Sequence, residues 1–147
     1  MKKLLYTLLA VSVIFSACEK EEESNNSSNN NSISVTDQNI IGVWDINSLV
    51  YDAINYTAVP GFESAAYIIN SDYTFSQNVI FNGDLDIDYG NWDLSGSDLT
   101  LYYNTEEELR WSIDSFNGST AFLTLVHYLN DDGNDEYTSG AATIVKQ

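Results

Sequence analysis

Four turn signals punctuate the second half of this 147-residue chain: Asn82-Gly83, Ser95-Gly96-Ser97, Asn117-Gly118-Ser119 and Asp132-Gly133-Asn134. Each lies between runs rich in Val, Ile, Thr, Tyr, Phe and Trp, the residues that suit a pleated, half-buried surface. Gly and Asn reach the positive φ that tight hairpins require, so the flanking runs are expected to be sequential antiparallel strands. Strands are expected at about 40–51, 63–70, 73–81, 84–94, 98–103, 109–115, 120–129 and 136–146, and no stretch shows sustained helical periodicity.

Period-two alternation supports the assignment. Leu109, Trp111 and Ile113 oppose Arg110, Ser112 and Asp114, and Leu85, Ile87 and Tyr89 oppose Asp84, Asp86 and Asp88, so in each strand the apolar set is expected inside. Past Gly90 the apolar phase passes to Trp92 and Leu94, which predicts a β-bulge at Gly90. The gap from Asp52 to Phe62, with Pro60-Gly61, reads as an open loop that could serve as a lid. Eight short strands joined by tight turns best satisfy their backbone by closing on themselves. The expected fold is therefore all-β, an eight-stranded antiparallel up-and-down barrel; a two-sheet sandwich would need longer crossing connections.

The first residues belong to a different category. Met1-Lys2-Lys3, the apolar stretch Leu4–Phe15 and then Ser16-Ala17-Cys18 follow the order of an export signal. As a helix the apolar stretch would be ~18 Å long, short of the ~30 Å hydrocarbon core. Ser16-Ala17 before the only cysteine resembles the lipobox of bacterial lipoproteins, with Phe15 where Leu is usual. Residues 1–17 are thus expected to be a lipoprotein signal peptide and Cys18 the site of lipidation. A lone cysteine forms no internal disulfide, so the domain must stand on its core.

Residues 18–35 carry an acidic cluster, Glu19 to Glu23, and an Asn/Ser run from Asn25 to Ser32, a composition expected to remain a disordered tether. An acidic cluster just after the lipidated cysteine resembles the export tag of surface lipoproteins of Gram-negative bacteria. It implies the outer membrane, on the cell surface or, as the alternative, on the periplasmic face. Without residues 1–17 the chain keeps Lys20, Arg110 and Lys146 against 22 acids, a formal charge of −19. That sign disfavours nucleic acid and leaves the lipid anchor as the expected link to a membrane.

Residues 36–147 form the remaining domain. Ile41-Gly42-Val43-Trp44 resembles the Gly-x-Trp opening of lipocalins, and Gly90 to Leu101, with Tyr73-Thr74-Phe75 before it, resembles the central hairpin of small lipocalin-like lipoproteins of Gram-negative bacteria. The resemblance implies a barrel whose tryptophan closes the base and whose interior can hold a small apolar ligand. Two features of the larger lipocalins are missing: a Thr-Asp-Tyr segment, and an arginine on the last strand to stack on Trp44.

Little in the domain names a reaction. His127, the only histidine, falls in phase with Leu125 and has no second histidine or free thiol to join it in a metal site or nucleophilic triad. Asp84, Asp86 and Asp88 repel one another unless water or a cation such as calcium screens them, and the loop Asp131–Glu136 offers oxygen ligands in a spacing that does not fit a calcium loop; solvated surface is the expectation for both. No catalytic residue, metal or cofactor is assigned. Large rings fall on the inward phase of several strands, so Tyr67, Phe75, Trp92, Tyr103, Trp111 and His127 are the expected lining of any ligand cavity. The function expected is a non-enzymatic, anchored module that binds a small apolar or glycan-derived ligand. The alternative is an accessory protein that contacts a partner in the cell envelope and uses the barrel as a scaffold.

Overall fold

The computed structural model describes residues 32–130, 132 and 139–147. Cys18, most of the tether and most of the Asp131–Glu136 loop lie outside them. Strand β1 (Gly42–Tyr51) pairs with a two-residue strand β2 (Ile54–Asn55), and the chain then runs through β3 (Phe62–Ile69), β4 (Thr74–Phe81), β5 (Asp84–Ser95), β6 (Asp98–Tyr103), β7 (Glu108–Phe116), β8 (Thr120–Leu129) and β9 (Gly140–Lys146). From β3 onward each strand pairs antiparallel with the next, and β1 pairs with both β3 and β9. That last ladder, from Trp44↔Lys146 to Tyr51↔Gly140, closes the sheet. The result is the expected eight-stranded antiparallel barrel, with β2 appended to β1. At the β4–β5 hairpin Asn82 (φ 51°) and Gly83 (φ 83°) both occupy the left-handed region, as a two-residue turn matching the sheet's twist demands.

The barrel interior is packed. Trp44, Trp111, Tyr67, Phe75, Leu99, Leu101, Leu123 and Ile144 are all essentially inaccessible. One end is plugged by a helical turn, α1 (Asp37–Ile40), too short to show a helical periodicity in the sequence. Thr36 caps it through a reciprocal pair with Asn39, and Ile40 is driven into the barrel. The Trp44 indole N–H donates to the Ile40 carbonyl at 2.6 Å, so the tryptophan closes the base as the resemblance implies. The cation sought on the last strand is also present, as a lysine. Lys146 Nζ lies 5.2 Å from the Trp44 ring centroid and donates to the Asn39 carbonyl at 3.0 Å, joining β9, β1 and α1.

Three expectations require correction. First, β5 carries no bulge: its ladders with β4 and β6 run unbroken through Phe75↔Gly90↔Tyr103. What Gly90 provides is room, since a Cβ there would meet the Tyr102 carbonyl oxygen at 1.9 Å. An unbroken ladder cannot change phase, so Asp84, Asp86 and Asp88 share the inward phase of Gly90 and Trp92, while Leu85 (57% exposed) and Tyr89 (56%) face out. Second, residues 52–62 are structured rather than an open loop: β2 pairs back on β1, a 3-10 turn (Tyr56–Ala58) follows, and the Tyr56 ring packs edge-on against Tyr51 at 5.8 Å. Third, a register shift in β8 separates Trp111↔Leu125 from Arg110↔His127. The unpaired Val126 reverses the phase, placing Tyr128 opposite buried Leu109 and His127 opposite Arg110, on the outer face.

Candidate functional site

The strand ends remote from α1 build the candidate site. Further shifts at Asn47 in β1 and Glu63 in β3 reset the phase of those strands, so that Leu49 and Tyr51 turn toward the interior beside Ala142 and Gly140. A cavity of about 430 Å³ opens there, walled by Tyr51, Tyr56, Gln77, Tyr103 and Tyr128 over Leu49 and Leu109. Two carboxyl residues, Asp52 and Glu107, complete the wall. Asp52 is held in place by the β9 approach: its Oδ1 accepts from the Ser139 amide at 3.2 Å, and its own amide donates to the Ser139 carbonyl at 2.9 Å. Glu107 is fixed by the β6–β7 turn, where the Tyr103 amide donates to its carbonyl at 2.8 Å.

Beneath the cavity the phenols form a continuous layer. The Tyr103 hydroxyl donates to Gln77 Oε1, and the Tyr103 ring meets Phe75 edge-on at 5.0 Å and 89°. Tyr51 packs on Trp111 at 5.8 Å. Burial pushes the Tyr67 phenol up to about 12, with the Tyr103 hydroxyl and the Trp111 indole beside it pulling the other way. The Trp111 N–H is close enough to bias that phenol, yet it makes no hydrogen bond of full geometry and is a buried polar atom without a partner. Burial also raises Tyr51 and Tyr103 far above the ordinary phenol range, and the nearby Glu107 carboxylate adds to both. These phenols are neutral at any physiological pH. At the same end, burial and the neighbouring Asp86 raise Asp88, which pairs with Gln77 on the inward phase.

Of the six residues expected to line a cavity, Tyr103 lines this one, and Tyr67, Phe75 and Trp111 form the buried layer next to its wall. Trp92 sits toward the plugged end: its N–H donates to the Asn70 carbonyl at 2.9 Å, and its ring packs on Tyr73, whose hydroxyl donates to Asp37 of α1. His127 lies outside, opposite Arg110. Tyr51, Tyr56, Tyr128, Gln77 and the two carboxyl residues were not anticipated. Apart from Gln77 in the middle of β4, their common signal is position, since each lies at or near a strand end on the same side of the barrel, but the bulges that turn Tyr51 and Tyr128 inward have no local signature. Among the described residues no three His, Cys, Asp or Glu side chains come together as a metal-ligand set.

The solved structure described as "Structure of EF1p2_mFAP2b bound to DFHBI" overlays with a TM-score of 0.48 and 16% identity, covering 75% of this chain and 95% of that one, a likeness that carries no argument about function. No curated protein matches the sequence. The profile of the lipocalin-like domain matches residues 40–120, more than half the chain, from the helical turn under Trp44 to the start of β8. With the closed barrel, this match makes the chain a member of the lipocalin-like domain family.

Proposed function

We propose that this protein is a lipid-anchored envelope protein, acylated at Cys18 and displayed on the cell surface of the outer membrane, whose barrel carries a small ligand without transforming it. The 430 Å³ opening at the end remote from α1 carries the reading, because it is large enough for one small molecule while the rest of the interior is filled. The export signal, Ser16-Ala17-Cys18 and the acidic run after it support the anchor and the address. Among the described residues of the wall no nucleophile is arranged beside a base, which supports binding rather than catalysis.

Native mass spectrometry of the full chain purified from its host tests the carrier role. A stoichiometric co-purifying small molecule is expected, and an empty barrel that no compound of a broad thermal-shift library stabilises overturns it. Metabolic labelling with a radioactive fatty acid tests the anchor, the label being lost in Cys18→Ser. A second reading, an accessory protein that docks on another envelope protein, is favoured by the exposed outer residues Leu85, Tyr89 and Tyr102 of β5 and β6. In-cell crosslinking separates the two readings, since a pure carrier gives no reproducible protein partner.

A further inference from the structure

The cavity differs from a purely apolar cup in a specific way. Tyr51 and Tyr56 meet at an interplanar angle of 73° and form an aromatic corner, with Tyr128 contributing a further wall. Asp52 and Glu107 stand in the same lining, and among the described residues no basic one does. The two basic residues among those described are committed elsewhere: Lys146 to Trp44 and Asn39 at the plugged end, and Arg110 to Glu108 at 3.1 Å on the outer phase. Asp86 and Asp88, on the inward phase of β5 at this end, add further negative potential.

Resting on the carrier reading above, we propose that the cavity selects a small organic cation, an amine or guanidinium carried on an apolar group, seated against the Tyr51–Tyr56 corner and neutralised by Glu107 and Asp52. A cation over a tyrosine face is attracted by the ring quadrupole, and a site partly screened from water strengthens that attraction. Burial holds the Tyr51 and Tyr103 phenols neutral, so they act as a ring and hydrogen-bonding groups rather than as counter-ions, which leaves the charge role to the carboxylates. An anionic ligand would enter a negative field and find no positive partner, and a neutral one would gain nothing from it. The formal charge of −17 on the whole chain favours approach of the same class of ligand.

Three probes matched in size test this on the full chain in detergent: phenethylammonium, 2-phenylethanol and phenylacetate, measured by titration calorimetry. Phenethylammonium is expected to bind about tenfold tighter than 2-phenylethanol, and phenylacetate weakest. Glu107→Gln is expected to erase the preference for the cation while 2-phenylethanol binding persists, which also shows that the variant is folded. Glu106→Gln removes the same charge from the adjacent position outside the cavity and is expected to keep the preference. Equal or tighter binding of 2-phenylethanol or phenylacetate overturns the cation selectivity and leaves the carrier reading standing. An equal loss in Glu106→Gln and Glu107→Gln assigns the effect to overall charge and overturns the site. Binding of none of the three overturns the selectivity, while the carrier reading still stands or falls on the co-purified ligand.

Discussion

Gly90→Ala is the sharpest perturbation the fold offers, because it separates a regular ladder from a bulged one. In the regular ladder the added Cβ would lie 1.9 Å from the Tyr102 carbonyl oxygen, 2.8 Å from its carbon and 2.7 Å from Phe75 Cε1. Ordinary contact is about 3.5 Å, so the Tyr102 backbone would have to retreat by roughly 1.5 Å. The phenylalanine ring can move, but the backbone of β6 is held on both sides, by β5 and by β7. Overpacking costs ~1–3 kcal/mol, and each ladder hydrogen bond lost adds ~1 kcal/mol. The lower entropy of alanine in the unfolded chain returns ~0.4–1 kcal/mol. A net loss of about 3 kcal/mol is expected, read as a fall of about 1–3 M in the urea midpoint at an m-value of ~1–3 kcal/mol/M. Gly83→Ala is the control: its Cβ would meet nothing within 4 Å, and only the left-handed φ of 83° opposes it, at a cost of ~1–2 kcal/mol. If Gly90→Ala costs no more than Gly83→Ala, the close approach is absent and the bulge expected from the apolar pattern is the better description of β5.

Alkaline titration reports on the phenol layer. Tyr67 is raised from 10.0 to about 12, so its contribution to stability is complete below pH 10 and is lost as pH rises through 12, an effect of ~3 kcal/mol. Tyr51 and Tyr103 are raised further and lose theirs in the same direction. The part of the phenolate absorbance that Tyr67→Phe removes should appear together with unfolding followed by circular dichroism above pH 10, and Tyr67→Phe should shallow the fall; that part appearing while the barrel stays folded contradicts the assignment. Trp44→Phe should cost ~2 kcal/mol or more, since it shrinks a buried ring and strands the Ile40 carbonyl; a loss under 1 kcal/mol in urea melts would show that the plug does not depend on this bond. Lys146→Met should cost about 1 kcal/mol and Lys146→Arg much less, because a guanidinium can also sit over Trp44; equal effects by thermal melting would deny the cation a role. Asp88 is raised above its ordinary value, so the folded state is favoured by this group below pH 3.8 and loses that as pH rises through the raised value. Asp88→Asn should therefore raise the Tm slightly at pH 7 and not at pH 3, and a lower Tm at pH 7 would contradict the penalty that burial and Asp86 place on this carboxylate.

Much of this barrel is written in short-range pattern. The turn at Asn82-Gly83 follows from two residues that tolerate positive φ, and the alternation of Leu109, Trp111 and Ile113 against Arg110, Ser112 and Asp114 fixes the facing of β7 without reference to any other strand. Up-and-down order follows from the shortness of the connections, and Gly42-Val43-Trp44 marks the base by resemblance. These are local properties, each decided by a few neighbouring residues.

Only the closed barrel decided the rest. In β5 the apolar set Leu85, Ile87 and Tyr89 looks inward by composition, yet its phase is inherited from Gly90 and Trp92 through a ladder that cannot slip. The aspartates take the interior phase there and stay exposed, because the strand end lies at the mouth, where water reaches the inside and hydropathy no longer tells in from out. The extra residues Asn47, Glu63 and Val126 reverse phase near the same end and carry Tyr51 and Tyr128 to the cavity wall while turning His127 away. A bulge answers to the curvature that closes the whole sheet rather than to its own residues, so the lining of the cavity became legible only once every strand was in register with its neighbours.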